Sequence, residues 1–160
     1  MEETRHLPFF VYGTLLPDQP NYFLWGSDII TMGPAIFVGG RLYDMGYYPM
    51  LVTAVSPETV QGMAITVDPA QYEAVMQRLD ELEGYDPDQP EESGNRRRVV
   101  AVVLGDGRTQ QAWAYIGQSQ LVQDKPAVAG GSWTAYTTNK QPDWQEWWNT
   151  IRTVAGLHKK

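Results

Sequence analysis

The hydrophobic pattern begins with a run, Phe9-Phe10-Val11, that stops at Gly13 and predicts a short strand. Pro17, Asp18, Pro20 and Asn21 mark a loop, after which Tyr22-Phe23-Leu24-Trp25 predicts one or two helical turns ended by Gly26. Beyond Gly33-Pro34, strand-like segments are expected over 35–43, 50–54 and 60–67. A helix is then announced by its own punctuation: Asp68 as N-cap, Pro69 at the first helical position and Gln71 at capping-box spacing. Tyr72, Val75, Met76, Leu79 and Leu82 form its apolar stripe, Glu73, Gln77 and Asp80 are read as facing away, and Gly84 is the expected C-terminal cap. Strands over 98–104 and 110–117 follow, joined through Gly105-Asp106-Gly107. Residues 118–131 read as loop, and a last helix is expected over 143–154, with Trp144, Trp147, Trp148 and Ile151 on one face. Short strands separated by Gly and Pro fit an antiparallel sheet or small barrel better than a βαβ alternation. With no repeat and no linker, the 160 residues read as one domain (1–160), its core at about 7–135 and its C-terminal helix at 143–154.

One residue breaks the helical pattern. Glu83 extends the spacing of Tyr72, Met76 and Leu79, so a regular helix puts its carboxylate on the apolar stripe. There, burial and the negative end of the helix dipole both raise a carboxyl pKa, as a group that accepts and donates protons requires. The alternatives are a solvated residue of the last turn, or a pair with Arg97 or Arg98 from the next strand. A second candidate is the turn Tyr12-Gly13-Thr14-Leu15: glycine lets another group approach the backbone closely, and successive N–H groups in a turn can bind an anion. The plain alternative is a turn with no ligand.

Composition narrows the chemistry. There is no cysteine, and the two histidines, His6 and His158, lie near the ends, which leaves carboxylates as the acid and base of any enzyme. The 19 acidic against 12 basic residues give a formal net charge of −7, which argues against nucleic-acid binding; the one basic run is Arg96-Arg97-Arg98. No cationic leader and no long apolar segment is visible, so the expected protein is cytoplasmic, soluble and not membrane-bound.

The motifs, in order, resemble the γ-glutamylcyclotransferase-like (AIG2-like) family. Val11-Tyr12-Gly13-Thr14-Leu15 is similar to its V-Y-G-T-L, the segment from Gly40 to Pro49 (GRLYDMGYYP) to its G-x-L-Y-D-x-G-x-Y-P, and Leu79-Asp80-Glu81-Leu82-Glu83-Gly84-Tyr85 to its L-D-x-x-E-G-Y. Arg97-Arg98-Val99, Ala112-Trp113-Ala114-Tyr115 and Gly131-Ser132-Trp133 match later, looser positions. The resemblance implies an α+β fold, a small mixed β-barrel with flanking helices around a cavity. It further implies Glu83 as the catalytic acid/base, Tyr12, Gly13, Thr14 and Leu15 as substrate-binding residues, and Tyr115 as a pocket-wall hydroxyl. The implied reaction cyclises a small γ-glutamyl substrate to 5-oxoproline with release of an amine or amino acid, and needs no metal or organic cofactor. Because that substrate carries its own nucleophile, the α-amine, the absence of cysteine and central histidine is no obstacle. A non-catalytic member of the fold, binding a small molecule or a protein, is the alternative. The chain departs from the resemblance in the polar insert from Asp86 to Asn95, read as a solvated loop, and in Arg96 where many relatives have tyrosine. The leaving group and the oligomeric state are not specified by these motifs.

Overall fold

The computed structural model describes residues 6–54 and 57–138. Five strands form a closed barrel: β1 (Phe9–Val11), β2 (Ile29–Val38), β5 (Thr59–Val67), β6 (Asn95–Leu104) and β7 (Thr109–Gly117). Their order is β1-β5-β2-β6-β7, and a parallel pairing of β1 with β7 at Phe9 and Trp113 closes the ring. The other pairings are antiparallel, so the barrel is mixed. Strands β3 (Gly40–Asp44) and β4 (Pro49–Thr53) form a separate two-stranded sheet. The α+β barrel expected from the sequence is the observed architecture.

The run Phe9-Phe10-Val11 is apolar throughout because β1 is covered on both sides. Phe9 and Val11 pack with Tyr72, Val75, Leu79 and Leu82 of the helix α1 (Tyr72–Glu83), whereas Phe10 packs with Ala35, Phe37, Leu51 and Val102. On β7 the same alternation sends Trp113 and Tyr115 toward α1, and Ala112, Ala114 and Ile116 to the opposite side. Helix α1 therefore lies against the face of β1 and β7 that carries Phe9, Val11, Trp113 and Tyr115, and its own apolar stripe is the one the spacing predicts.

At the start of α1, Asp68 accepts a hydrogen bond from the Ala70 N–H at 3.0 Å, but residues Pro69–Gln71 form a 3₁₀ turn and the α-helix begins at Tyr72. Gly84 ends it at φ +73°, a left-handed conformation that glycine adopts without strain, with its N–H on the carbonyls of Asp80 and Glu81.

Several expectations are corrected. The segment 35–43 is two strands, β2 and β3, separated at Gly39, and β2 starts six residues earlier, at Ile29. The stretch 118–131 holds 3₁₀ turns at Ser119–Val122 and Ala129–Gly131, and a short helix α2 (Trp133–Tyr136) follows. Asp80, read as facing away, is buried. The insert has its own bonds: Asp86 N–H donates to Ser93 Oγ at 3.0 Å, Gln118 Nε2 to the Ser93 carbonyl at 2.8 Å, and Arg96 Nε to the Pro90 carbonyl at 3.1 Å. The expected helix over 143–154 lies outside the described residues. Among those described, no helix is long and apolar enough to cross a membrane.

Candidate functional site

A pocket opens between the end of β1, the β3–β4 turn, β7 and the last turn of α1. It is lined by Tyr12, Gly13, Thr14, Leu15, Glu83 and Tyr115, together with Phe10, Val11, Tyr48 and Pro49. All six residues singled out in the sequence thus meet around one cavity. Tyr48 and Pro49 also stand there; they close the second motif, and nothing in their spacing alone assigned them to a pocket.

Local bonding turns the residue 12–15 segment toward the cavity. The carbonyl of Gly13 accepts from the Leu16 N–H (3.0 Å), that of Thr14 from the Asn21 N–H (2.8 Å), and that of Leu15 from the indole Nε1 of buried Trp25 (2.9 Å). With these acceptors engaged on the protein side, the N–H groups of Gly13, Thr14 and Leu15 donate in none of the described hydrogen bonds, and all three residues border the pocket. This row of donors suits an anion such as a carboxylate. Glycine is required at position 13 by contact: a Cβ there would stand 2.5 Å from Pro49 Cγ and 2.8 Å from Pro49 Cδ. Tyr12 reaches to the neighbouring strand β7, its hydroxyl donating to the Tyr115 carbonyl at 2.6 Å.

Glu83 is the last residue of α1. It keeps some surface on the cavity side and is otherwise enclosed. Its pKa is pushed up to about 8, first by burial and then by the negative charge of Asp80 one turn earlier on the helix. The nearby phenols of Tyr12, Tyr48 and Tyr115 are also raised, each primarily by burial and each further by the charge of Glu83. Of the alternatives for Glu83, a pair with Arg97 or Arg98 is not among the described ion pairs, Arg97 being bound to Asp80, and the residue is partly exposed where it borders the cavity.

Arg97 binds Asp80. Nε meets Oδ1 at 2.9 Å and an Nη meets Oδ2 at 3.2 Å, a bidentate pair, while the guanidinium lies 4.9 Å from the Trp113 ring centroid and 5.4 Å from that of Tyr85. Tyr115, cross-strand partner of Arg97, donates its hydroxyl to the same Asp80 Oδ1 at 2.6 Å. Its hydroxyl is therefore engaged behind the pocket wall that its ring helps to form. Asp80 was missed in the sequence because the helical period describes α1 alone; the available signal was its place three residues before Glu83, on the same side of a helix.

Among the described residues, no group of three or more His, Cys, Asp or Glu side chains is placed to hold a metal ion.

A small mixed barrel with a helix-end carboxyl and a turn whose N–H groups donate in none of the described hydrogen bonds, both bordering one pocket, defines the structural class. The profile of the family described as "Gamma-glutamyl cyclotransferase, AIG2-like" matches residues 9–135, and the chain belongs to that family. Solved structures share the fold. YkqA from Bacillus subtilis superposes with a TM-score of 0.61 at 21% identity, over 83% of this chain and 41% of its own, so this chain spans well under half of YkqA. PH0828 from Pyrococcus horikoshii gives 0.54 at 20% identity over 82% of this chain and 93% of its own. A protein from Arabidopsis thaliana solved in solution gives 0.59 at 16% identity over 98% and 95%. No curated protein sequence matches this chain significantly.

Proposed function

We propose that the protein is a γ-glutamylcyclotransferase-type enzyme in which Glu83 is the general acid/base and the 12–15 turn holds the amino-acid end of a small γ-glutamyl substrate. The observation that carries this reading is one pocket bringing together a carboxyl whose pKa is raised to about 8 and a row of backbone N–H groups that donate in none of the described hydrogen bonds. The substrate's α-carboxylate sits on those donors, which folds its α-amine back toward its γ-carbonyl.

Glu83 in its ionised form takes a proton from the α-ammonium. The freed nitrogen attacks the γ-carbonyl carbon, a carbon–nitrogen bond forms, and a five-membered ring closes as a tetrahedral intermediate. As the carbonyl re-forms, the bond from that carbon to the leaving nitrogen breaks and Glu83 gives its proton to that nitrogen. The ring nitrogen, which still carries one proton too many, passes it through Glu83 to the released amine, which departs as an ammonium. Atoms and charge balance with no co-reactant, and the products are 5-oxoproline and an amine or amino acid. Alignment of the two ends within one molecule contributes on the order of 7–11 kcal/mol, and a positioned proton shuttle adds roughly 10²- to 10⁴-fold. A pKa near the working pH serves both proton transfers, which a carboxyl at its ordinary value does poorly.

The test is turnover of a panel of γ-glutamyl amino acids and γ-glutamyl amines, read as 5-oxoproline, for the native protein and for Glu83→Gln. The expected result is turnover of at least one member and its loss in the variant. A native protein inactive on the whole panel, or a fully active variant, overturns the reading and favours a binding protein.

A further inference from the structure

Two residues of β6 address two carboxyls of α1. Asn95 and Arg97, two apart on a strand, share a face; Asp80 and Glu83, three apart on a helix, share a side. Arg97 pairs with Asp80, and Asn95 pairs with Glu83: its Nδ2 donates to Glu83 Oε1 at 3.1 Å and, more loosely, to the Glu83 main-chain carbonyl at 3.4 Å. Asn95 is buried to 1% exposure, opens β6 opposite Gly117, and is not among the residues lining the pocket. Its Oδ1 is buried and has no hydrogen-bond partner among the described residues.

The two partners differ in what they can do. A guanidinium only donates, so it holds a carboxylate but cannot accept the O–H of a carboxylic acid. A primary amide carries donors at one end and an acceptor at the other, and a half-turn of its terminal torsion exchanges them. Such a group meets a carboxyl oxygen whether or not that oxygen bears a proton. A buried acceptor left unpaired is unfavourable, so the spare Oδ1 has a reason to take the Glu83 proton when there is one. Of the other groups near Glu83, Asp80 is occupied by Arg97 and Tyr115, Tyr12 donates to a main-chain carbonyl, and Tyr48 lines the same cavity, near enough for its phenol to be raised by the Glu83 charge after burial.

We propose that Asn95 is the positioning residue of Glu83, presenting Nδ2 to the carboxylate and, with its amide turned, Oδ1 to the carboxylic acid. The carboxyl is thereby held at one place facing the cavity through both halves of a proton transfer. The inference rests on the proposed function only for the use made of that proton; the coupling between the two side chains stands or falls by itself.

The experiment follows both side chains by NMR across pH 5 to 10: the Glu83 carboxyl carbon, assigned by its disappearance in Glu83→Gln, and the Asn95 side-chain amide. The amide signals are expected to shift with the Glu83 midpoint in the native protein and to stay flat in Glu83→Gln. Asn95→Asp, nearly isosteric and acceptor-only when ionised, should raise the Glu83 midpoint by at least about one pH unit. Asn95→Leu should lower kcat roughly ten- to a hundredfold with KM changed much less, as expected when a reacting group is misplaced. Amide signals that ignore the Glu83 titration, or an unmoved midpoint in Asn95→Asp, overturn the proposal whether or not the protein turns over any γ-glutamyl compound. If the coupling is seen and the substrate panel fails, the proposed function falls and the positioning role remains.

Discussion

The hydroxyl of Tyr115 and the carboxylate of Asp80 are joined by a 2.6 Å hydrogen bond, and the Asp80 oxygen that accepts it also accepts from Arg97 Nε at 2.9 Å. The knot ties β6, β7 and α1 together directly behind the candidate site. It also places a fixed negative charge beside Glu83, where it adds to the effect of burial.

Replacing Asp80 with Asn should therefore bring the Glu83 midpoint down from about 8. The sign follows from two changes that act together: a negative charge that opposed ionisation is removed, and Arg97 loses its partner and becomes a nearby uncompensated positive charge. The pH dependence of kcat/KM, or the NMR titration of Glu83, reads the result as an ionisation moved toward neutral pH. A midpoint that stays put or rises would show that Asp80 does not set the potential at Glu83.

Replacing Arg97 with Met should be costly to the fold. The Arg97 and Asp80 side chains are only 15% and 11% exposed, so the change leaves a buried carboxylate without its cation and empties the space between Tyr85 and Trp113. Breaking such a pair from one side typically destabilises by about 3–5 kcal/mol. Arg97→Lys keeps the charge but loses the bidentate geometry and the planar stacking, and should lose less. Denaturant unfolding of both variants checks the order; a neutral Arg97→Met would mean the pair contributes nothing to folding.

What the sequence could show about these elements divides along a physical line. Phe9–Val11 was legible because a strand buried on both sides leaves an unbroken apolar run. Helix α1 was legible because its start and stop are written in adjacent residues, Asp68-Pro69 and Gly84. The first half of β2 was hidden by Gly33-Pro34, which reads as a break. Pro34 is tolerated because it lies outside the stretch of β2 paired with β6, which begins at Ala35. Asp80 and Asn95 were hidden for another reason: their burial is decided by β6 and α1 facing each other, a relation that neither element's own period contains. Glu83 stood out by period alone, but its association with the 12–15 turn came from the order of the three motifs.

Replacing Gly13 with Ala tests that association. The new methyl would fall 2.5 Å from Pro49 Cγ, so either Pro49 or the donor turn must move. Overpacking of this kind typically costs about 1–3 kcal/mol, which thermal unfolding will register. Because the displaced atoms border the pocket, the KM of any substrate found should rise by at least about tenfold, with kcat less affected. A variant with native KM would remove the turn from the binding site.

The raised pKa of Glu83 makes a claim about folding that needs no substrate. In the unfolded chain the group titrates near the ordinary value of 4.5, and in the folded protein near 8. Between those values the folded state holds a proton that the unfolded state has released, so folding takes up a proton and weakens as pH rises. The contribution is fully favourable below about pH 4.5, is lost progressively toward pH 8, and is constant above it. Each unit of displacement corresponds to about 1.4 kcal/mol, so the total reaches a few kcal/mol. Glu83→Gln removes this proton, and its stability curve should be flatter over pH 5 to 9, crossing from less of an advantage at the acid end to a clear gain at the alkaline end. Chemical denaturation at four or five pH values, native against variant, measures the difference directly. Parallel curves would mean that Glu83 titrates alike in the folded and unfolded chain, and the poised carboxyl on which the proposed chemistry depends would not exist.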